Sequence, residues 1–112
     1  MTWEGWDEAG WCTRLGIPAA EIHDTVPSTN GRARAWVRQG APDFAMVLAE
    51  TQTEGKGRGG RRWHSPAGSG VWATLVVPGR GLDRDALLPL RVGLALAWRL
   101  EGVSGARGGV KW

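Results

Sequence analysis

The chain has 112 residues, of which 42% are hydrophobic and 22% charged, and it carries a formal charge of +3. That is one domain's worth of ordinary globular sequence, and it excludes whole-chain disorder, collagen-like repeats and coiled coils. The longest apolar runs, such as Val71–Val77, are too short to cross a bilayer, and Glu4, Asp7 and Glu8 interrupt the N-terminus where a signal peptide would be apolar.

One cysteine, Cys12, cannot form an internal disulfide, so a reduced cytoplasmic protein is expected, with Cys12 a packed small hydrophobe. Of the 14 basic residues only Lys56 and Lys111 are lysines. Net charge says little about partners, whereas placement says more: Lys56, Arg58, Arg61 and Arg62 alternate with glycines at 55, 57, 59 and 60.

In chain order, residues 1–20 hold Trp3, Trp6 and Trp11 among acids and glycines, and a short leading helix is expected there. Glu21–Val26 reads as a strand that turns at Pro27. Ser28 is the N-cap of a helix over Thr29–Gln39 that turns Ala33, Trp36 and Val37 to one face and stops at Gly40 and Pro42. Phe44–Glu50 is a continuous apolar run suited to a strand buried on both faces. Residues 52–69, broken by Gly55, Gly57, Gly59, Gly60 and Gly68, read as one long loop, and long loops of this kind are usually functional or disordered. Val71–Val77 is the next strand, ended by Pro78-Gly79. Asp83 or Asp85 caps a helix over Ala86–Leu100 with a stripe of Leu87, Leu90, Leu94 and Trp98, with Pro89 in its first turn and a stop at Gly102. Gly109–Trp112 begins a further strand, so the chain is expected to be a truncated piece of a longer domain. The order of elements implies an α+β fold, or an α/β one, with a mixed β-sheet packed against helices.

Three groups of residues can carry chemistry. The segment Gln52–Gly70 puts arginine forks and close-approaching glycine backbone next to Trp63, which suits a ligand with phosphates and a planar base. A solvated basic loop is the plain alternative. It is not a Walker-type phosphate loop, since no Ser or Thr follows the lysine. Ser28-Thr29-Asn30 gives short polar side chains at a helix start, where open sheets place ligands. Lys111 follows Val110 in an inward-facing strand, where an ammonium needs an anion, or else it is a frayed surface charge. Cys12, His23 and His64 lack metal-ligand spacing, so no metal site is assigned, and Ser65 and Ser69 lack a nucleophile elbow.

The segments PSTN at 27–30, AETQTEGKGRGGRRWHSPAGSGVW at 49–72 and VKW at 110–112 resemble, in order and spacing, the catalytic domain of biotin–protein ligases. The resemblance covers residues 20–112, with 1–19 a separate N-terminal segment. It implies the class II synthetase-like fold shared with lipoate ligases and octanoyl transferases, here incomplete. It also implies two-step chemistry. Biotin and ATP, with Mg2+ on the nucleotide, give biotinyl-5′-AMP, and a lysine of biotin carboxyl carrier protein then takes the biotinyl group. By resemblance Ser28, Thr29, Asn30, Gln52, Lys56, Gly57, Arg58 and Lys111 bind biotin. Gly55, Arg58, Arg61 and Trp63 hold ATP or the adenylate, and Lys111 and Arg58 are the catalytic pair, Lys111 bridging carboxylate and phosphate. The chain departs from the family at Lys56 and Gly59, where arginine is usual. It lacks the Pro-Asn-Asp that continues the KW motif, so the fragment alone is expected to be inactive, and no DNA-binding domain or membrane partner is expected. A lipoate or octanoate ligase on the same fold, and a nucleic-acid-binding module built on the Arg/Gly loop, are the other readings.

Overall fold

A computed structural model describes residues 1–79 and 87–110. It divides into two compact units, Met1–Pro78 and Gly79–Trp112.

The first unit opens with a tight two-residue turn. Trp3 and Trp6 exchange backbone hydrogen bonds of 2.9 and 3.1 Å around Glu4 and Gly5, both of which hold positive φ. Helix α1 (Glu8–Leu15) follows, capped by the Asp7 carboxylate, which accepts from the Gly10 N–H at 2.8 Å. The expected leading helix therefore exists, and it is anchored. Trp11 Nε1 donates to the Trp3 carbonyl at 3.0 Å, and the two rings meet at 5.4 Å. Together with Ile17 and Ala20 they pack on a core of Ile22, Met46 and Leu48. Cys12 is half-buried and free.

Strand β1 (Ala20–Val26) leads through Pro27 into helix α2 (Thr29–Arg38), whose N-cap is Ser28 as the sequence implies. Ala33 faces inward at 4% exposure, but Val37, assigned to the same apolar face, is 50% exposed. Strand β2 (Met46–Lys56) is the hub of the sheet. It pairs in parallel with β1 from Ala20↔Met46 to Val26↔Gln52. Along its other edge it pairs antiparallel with β4 (Trp72–Leu75) through Met46–Ala49, and with β3 (Arg62–Ser65) through Gln52–Lys56. Ala45, Val47 and Ala49 are fully buried and Leu48 nearly so, which is why this stretch is apolar without alternation.

Three expectations are corrected here. The strand placed at Phe44–Glu50 starts later, because Phe44 adopts a left-handed φ of 65° in the preceding turn, and it runs six residues further, to Lys56. Residues 52–69 are consequently not one long loop. Pairing of Gln52–Lys56 with β3 outweighs the glycines, so the segment is strand, tight turn, strand, with only Pro66–Val71 irregular. Strand β4 is shorter than Val71–Val77.

The second unit holds helix α3 (Leu88–Ser104), with Pro89 in its first turn and none of its residues buried, the stripe of Leu94 and Trp98 included. It does not stop at Gly102. It continues to Gly105, whose φ of 72° provides the left-handed cap and whose N–H donates to the Glu101 carbonyl at 2.8 Å. The proposed caps Asp83 and Asp85 lie outside the described residues. Gly109 and Val110 are not in a strand, and Lys111, with the rest of that expected strand, lies outside the described residues. No described helix is long and apolar enough to cross a membrane.

Candidate functional site

The chain reverses direction at Pro27, so the start of α2 lies beside the far half of β2. Residues distant in sequence meet there. Ser28 Oγ accepts from the Gly31 N–H at 3.3 Å. The Thr29 N–H, another of the donors a helix start leaves free, goes to Gln52 Oε1 at 2.8 Å, and the Thr29 hydroxyl reaches the same oxygen at 3.1 Å. Gln52 Nε2 in turn donates to Ser65 Oγ on β3 at 3.3 Å. On the opposite side, Thr74 of β4 lies 2.9 Å from Thr29 Oγ1 and 2.6 Å from Asn30 Oδ1. A single network thus joins α2, β2, β3 and β4.

This network lines a cavity of about 210 Å³ bounded by Ser28, Thr29, Asn30, Gln52, Lys56, Trp63, Val71, Trp72, Ala73 and Thr74. Its hydrogen count is uneven. Three contacts (Thr29–Gln52, Thr74–Thr29 and Thr74–Asn30) share the protons of two hydroxyls, and Gln52 Oε1 keeps the Thr29 N–H whichever way the hydroxyls turn. One unmet donor lies in the same wall, since Trp72 Nε1 is buried with no acceptor among the described residues. Buried polar groups left this way cost free energy until something meets them.

Gly55 sits beneath the network. A Cβ there would come within 2.9 Å of Gln52 Nε2 and 3.1 Å of both Ser65 Oγ and Trp63 Cβ, so the backbone must be bare for β2 and β3 to close. Beyond it, the Gly57 N–H donates to the Arg61 carbonyl at 2.7 Å and closes a turn over Arg58–Gly60, in which Gly59 and Gly60 take φ of 65° and 75°. Glu54, Lys56, Gly57, Gly60, Arg61 and Arg62 line a second cavity of about 310 Å³. Lys56 belongs to both cavities, and the wall changes there from uncharged polar and aromatic groups to glycine, two arginines and Glu54. The Gly68 N–H donates to the Glu50 carboxylate at 2.9 Å and pins the turn after β3 to the middle of β2.

Helix α2 is strapped to β1 from behind. The Arg32 guanidinium grips Glu21 with two hydrogen bonds of 2.7 and 2.6 Å, and His23 Nε2 lies 2.9 Å from the same carboxylate. The hydrogen bond from Arg32 holds the Glu21 carboxyl below its usual range, against the opposing effect of burial, and Glu21 raises Arg32.

Of the residues singled out from sequence, Ser28, Thr29, Asn30, Gln52, Lys56 and Trp63 share the first cavity, and Gly57 and Arg61 join Lys56 in the second. Gly55 acts as packing space rather than as wall. Arg58 is in the turn but lines neither cavity, and Lys111 lies outside the described residues. Trp72 and Thr74 were missed. Their signal was there in the two-residue spacing that puts both on one face of β4, opposite Ala49 and Val47. Among the described residues no three His, Cys, Asp or Glu side chains cluster as a metal site would need.

A mixed sheet flanked by helices, with a polar cavity at the strand-to-helix turn and a glycine–arginine turn over its mouth, is the scaffold of the class II synthetase-like acid-activating ligases. The profile of the biotin/lipoate A/B protein ligase family matches residues 24–112, and the chain belongs to that family. It is 35% identical over 91 residues to the bifunctional ligase/repressor BirA of Bacillus subtilis, covering 80% of this chain and 28% of that protein. With the BirA of Bacillus spizizenii it shares 33% identity over 90 residues, again 80% of this chain and 28% of the relative. Among solved structures, the biotin protein ligase of Aquifex aeolicus in complex with biotin and ATP superposes with a TM-score of 0.74 at 28% identity, over 83% of this chain and 38% of that one. The Leishmania major biotin protein ligase in complex with biotinyl-5-AMP gives 0.65 at 31% identity, over 83% and 38%. The chain therefore spans just over a quarter of the length of the curated relatives it matches.

Proposed function

We propose that this chain is the N-terminal part of the catalytic domain of a biotin–protein ligase, and that its first cavity takes the ureido end of biotin. The observation that carries this is the unmet Trp72 donor in the cavity wall. An indole N–H without an acceptor, set among hydroxyl and amide oxygens, is met by a ring that offers C=O and N–H side by side. A cyclic urea does so. The acyl chain then runs past Trp63 toward Lys56, and the carboxylate arrives where the wall turns cationic.

The chemistry follows from that placement. A carboxylate oxygen attacks the α-phosphorus of ATP, pyrophosphate leaves, and an acyl adenylate forms. Two anions must approach each other, and Lys56, Arg61 and the N–H groups of the glycine turn offset their repulsion. Lys111 and Arg58 are assigned to the same task by resemblance to the family. Mg2+ would enter on the phosphates of the nucleotide and there offset part of their charge. Closure of the Gly57–Arg61 turn excludes water and protects the mixed anhydride until a lysine amine of the acceptor, biotin carboxyl carrier protein, attacks its carbonyl.

The test is calorimetric titration of the chain with biotin and with biotinyl-5′-adenylate, in parallel with lipoate. Heat with the biotin compounds and none with lipoate is the expected result. Preference for lipoate transfers the site to the sibling activity of the same family. Binding of RNA or DNA that weakens steeply with salt, with no response to either acid, replaces both readings.

A further inference from the structure

We propose that Arg32, through its grip on Glu21, is a positioning residue for the ligand site: it fixes the roll of α2 and so the direction of the Ser28, Thr29 and Asn30 side chains. This rests on the biotin site proposed above. At about 100° per residue, Asn30 and Arg32 fall on opposite flanks of the line through Thr29 and Ala33. Thr29 and Ala33 are the buried residues of the helix, and Thr29 is bonded to Gln52 of β2. On one flank Asn30 meets Thr74 of β4 at 2.6 Å, and on the other Arg32 meets Glu21 of β1. Strands β1 and β4 are the two neighbours of the apolar half of β2. The helix start is therefore tied on both sides of its contact line, whereas a helix tied on one side alone is free to roll about its axis.

The ties differ in what a ligand does to them. Those to Thr74 and Gln52 are made by groups that line the first cavity, and a cyclic urea seated there competes for the same hydroxyl and amide atoms. Arg32 and Glu21 line neither cavity described above, so their bond persists when the ligand enters. It is also the stronger tie, since a guanidinium and a carboxylate joined by two bonds of 2.7 and 2.6 Å fix direction as well as distance. His23 Nε2, 2.9 Å from the same carboxylate and on the same strand, steadies the acceptor. Arg32 passes this hold back over one helical turn, because its own N–H donates to the Ser28 carbonyl at 3.0 Å. A site already held in its bound geometry loses less free energy to ordering when the ligand arrives.

Calorimetry with biotin, well below each melting temperature, compares the 112-residue parent with Arg32→Met, Arg32→Lys, Glu21→Gln and the Arg32→Met/Glu21→Gln double variant. Trp11→Phe is the control, since it loosens the anchoring of α1 and leaves the cavity alone. The expected result is a biotin Kd raised about tenfold by Arg32→Met and by Glu21→Gln, with the double variant no weaker than either, because each removes the same tie. Arg32→Lys, which keeps the charge and loses the fork, should fall between the parent and Arg32→Met. Amide hydrogen exchange at Thr29 in the biotin complex should quicken in the same order. Should Arg32→Met fail to fold, the lysine and glutamine variants decide the matter. Folded variants that bind biotin as the parent does, losses that add in the double variant, or an equal loss in Trp11→Phe overturn the positioning role and leave the ligand assignment standing. A parent that binds no biotin overturns both.

Discussion

Replacing Gln52 by leucine keeps the volume of the side chain and removes its three hydrogen bonds. The amide holds the Thr29 N–H at 2.8 Å, the Thr29 hydroxyl at 3.1 Å and Ser65 Oγ at 3.3 Å, and Thr29 and Ser65 are only 4% and 3% exposed. Each bond lost costs about 1 kcal/mol net, and stranding the buried Thr29 N–H adds roughly 1–3 kcal/mol. Because the Ser65 contact is long, the total for Gln52→Leu comes to about 3–5 kcal/mol. At 4–8 °C per kcal/mol for a unit of this size, the melting temperature should fall by roughly 12 °C or more. Gln52→Glu separates folding from ligand binding. A carboxylate still accepts both Thr29 donors, the Ser65 hydroxyl turns to donate to it, and a negative charge at a helix start is favourable by about 0.3–1 kcal/mol. The fold should survive that change while affinity for an anionic acyl compound drops at least tenfold. Circular dichroism melts and calorimetry on the three proteins give the answer. A leucine variant melting within about 3 °C of the parent would mean that the network does not hold the site together.

Gly55→Ala should cost roughly 1–3 kcal/mol, because its Cβ would press on Gln52, Ser65 and Trp63 at once, and the same substitution should weaken biotin binding measured by calorimetry. Trp11→Ala removes a ring that covers Ile22, Met46 and Leu48 and should cost about 2–3 kcal/mol in urea unfolding, whereas Trp11→Phe should lose only about 1 kcal/mol with the Nε1 bond to Trp3. Since Arg32 holds the folded-state pKa of Glu21 below its unfolded value, the pair stabilises the protein fully above the ordinary carboxylate range and loses that contribution as pH falls through the lowered value. Urea midpoints from pH 7 down to pH 3 should show this acid limb flattened in Glu21→Gln; equal slopes in both proteins would refute the linkage.

The parts of this molecule legible in the sequence are those decided locally. Ser28 before a run of helix formers, and Ala45–Ala49 without a polar residue, announce a capped helix and a doubly covered strand whatever surrounds them. The glycine-rich stretch was misjudged because propensity sees Gly55 and Gly57 as breakers, while pairing with Trp63 of β3 holds Gly55 extended and Gly57 opens the tight turn. Trp72 and Thr74 escaped notice for a related reason. Their role depends on register with Ala49 and Val47, some 23–27 residues earlier, and no short window contains that pairing. The end of α3 was misplaced at Gly102 because glycine is tolerated inside a helix, and the stop falls where the backbone turns left-handed, at Gly105.

Strand β2 receives β1 on one edge and both β3 and β4 on the other, which sets a timetable for synthesis. A nascent chain released from the ribosome as far as residue 56 already holds β1, α2 and β2. The edge of Met46–Ala49 then stays bare until Trp72–Leu75 has followed. During that interval the most apolar backbone in the protein is an open template for a neighbouring polypeptide. Slower elongation just after β2 would lengthen the interval in which that edge is open.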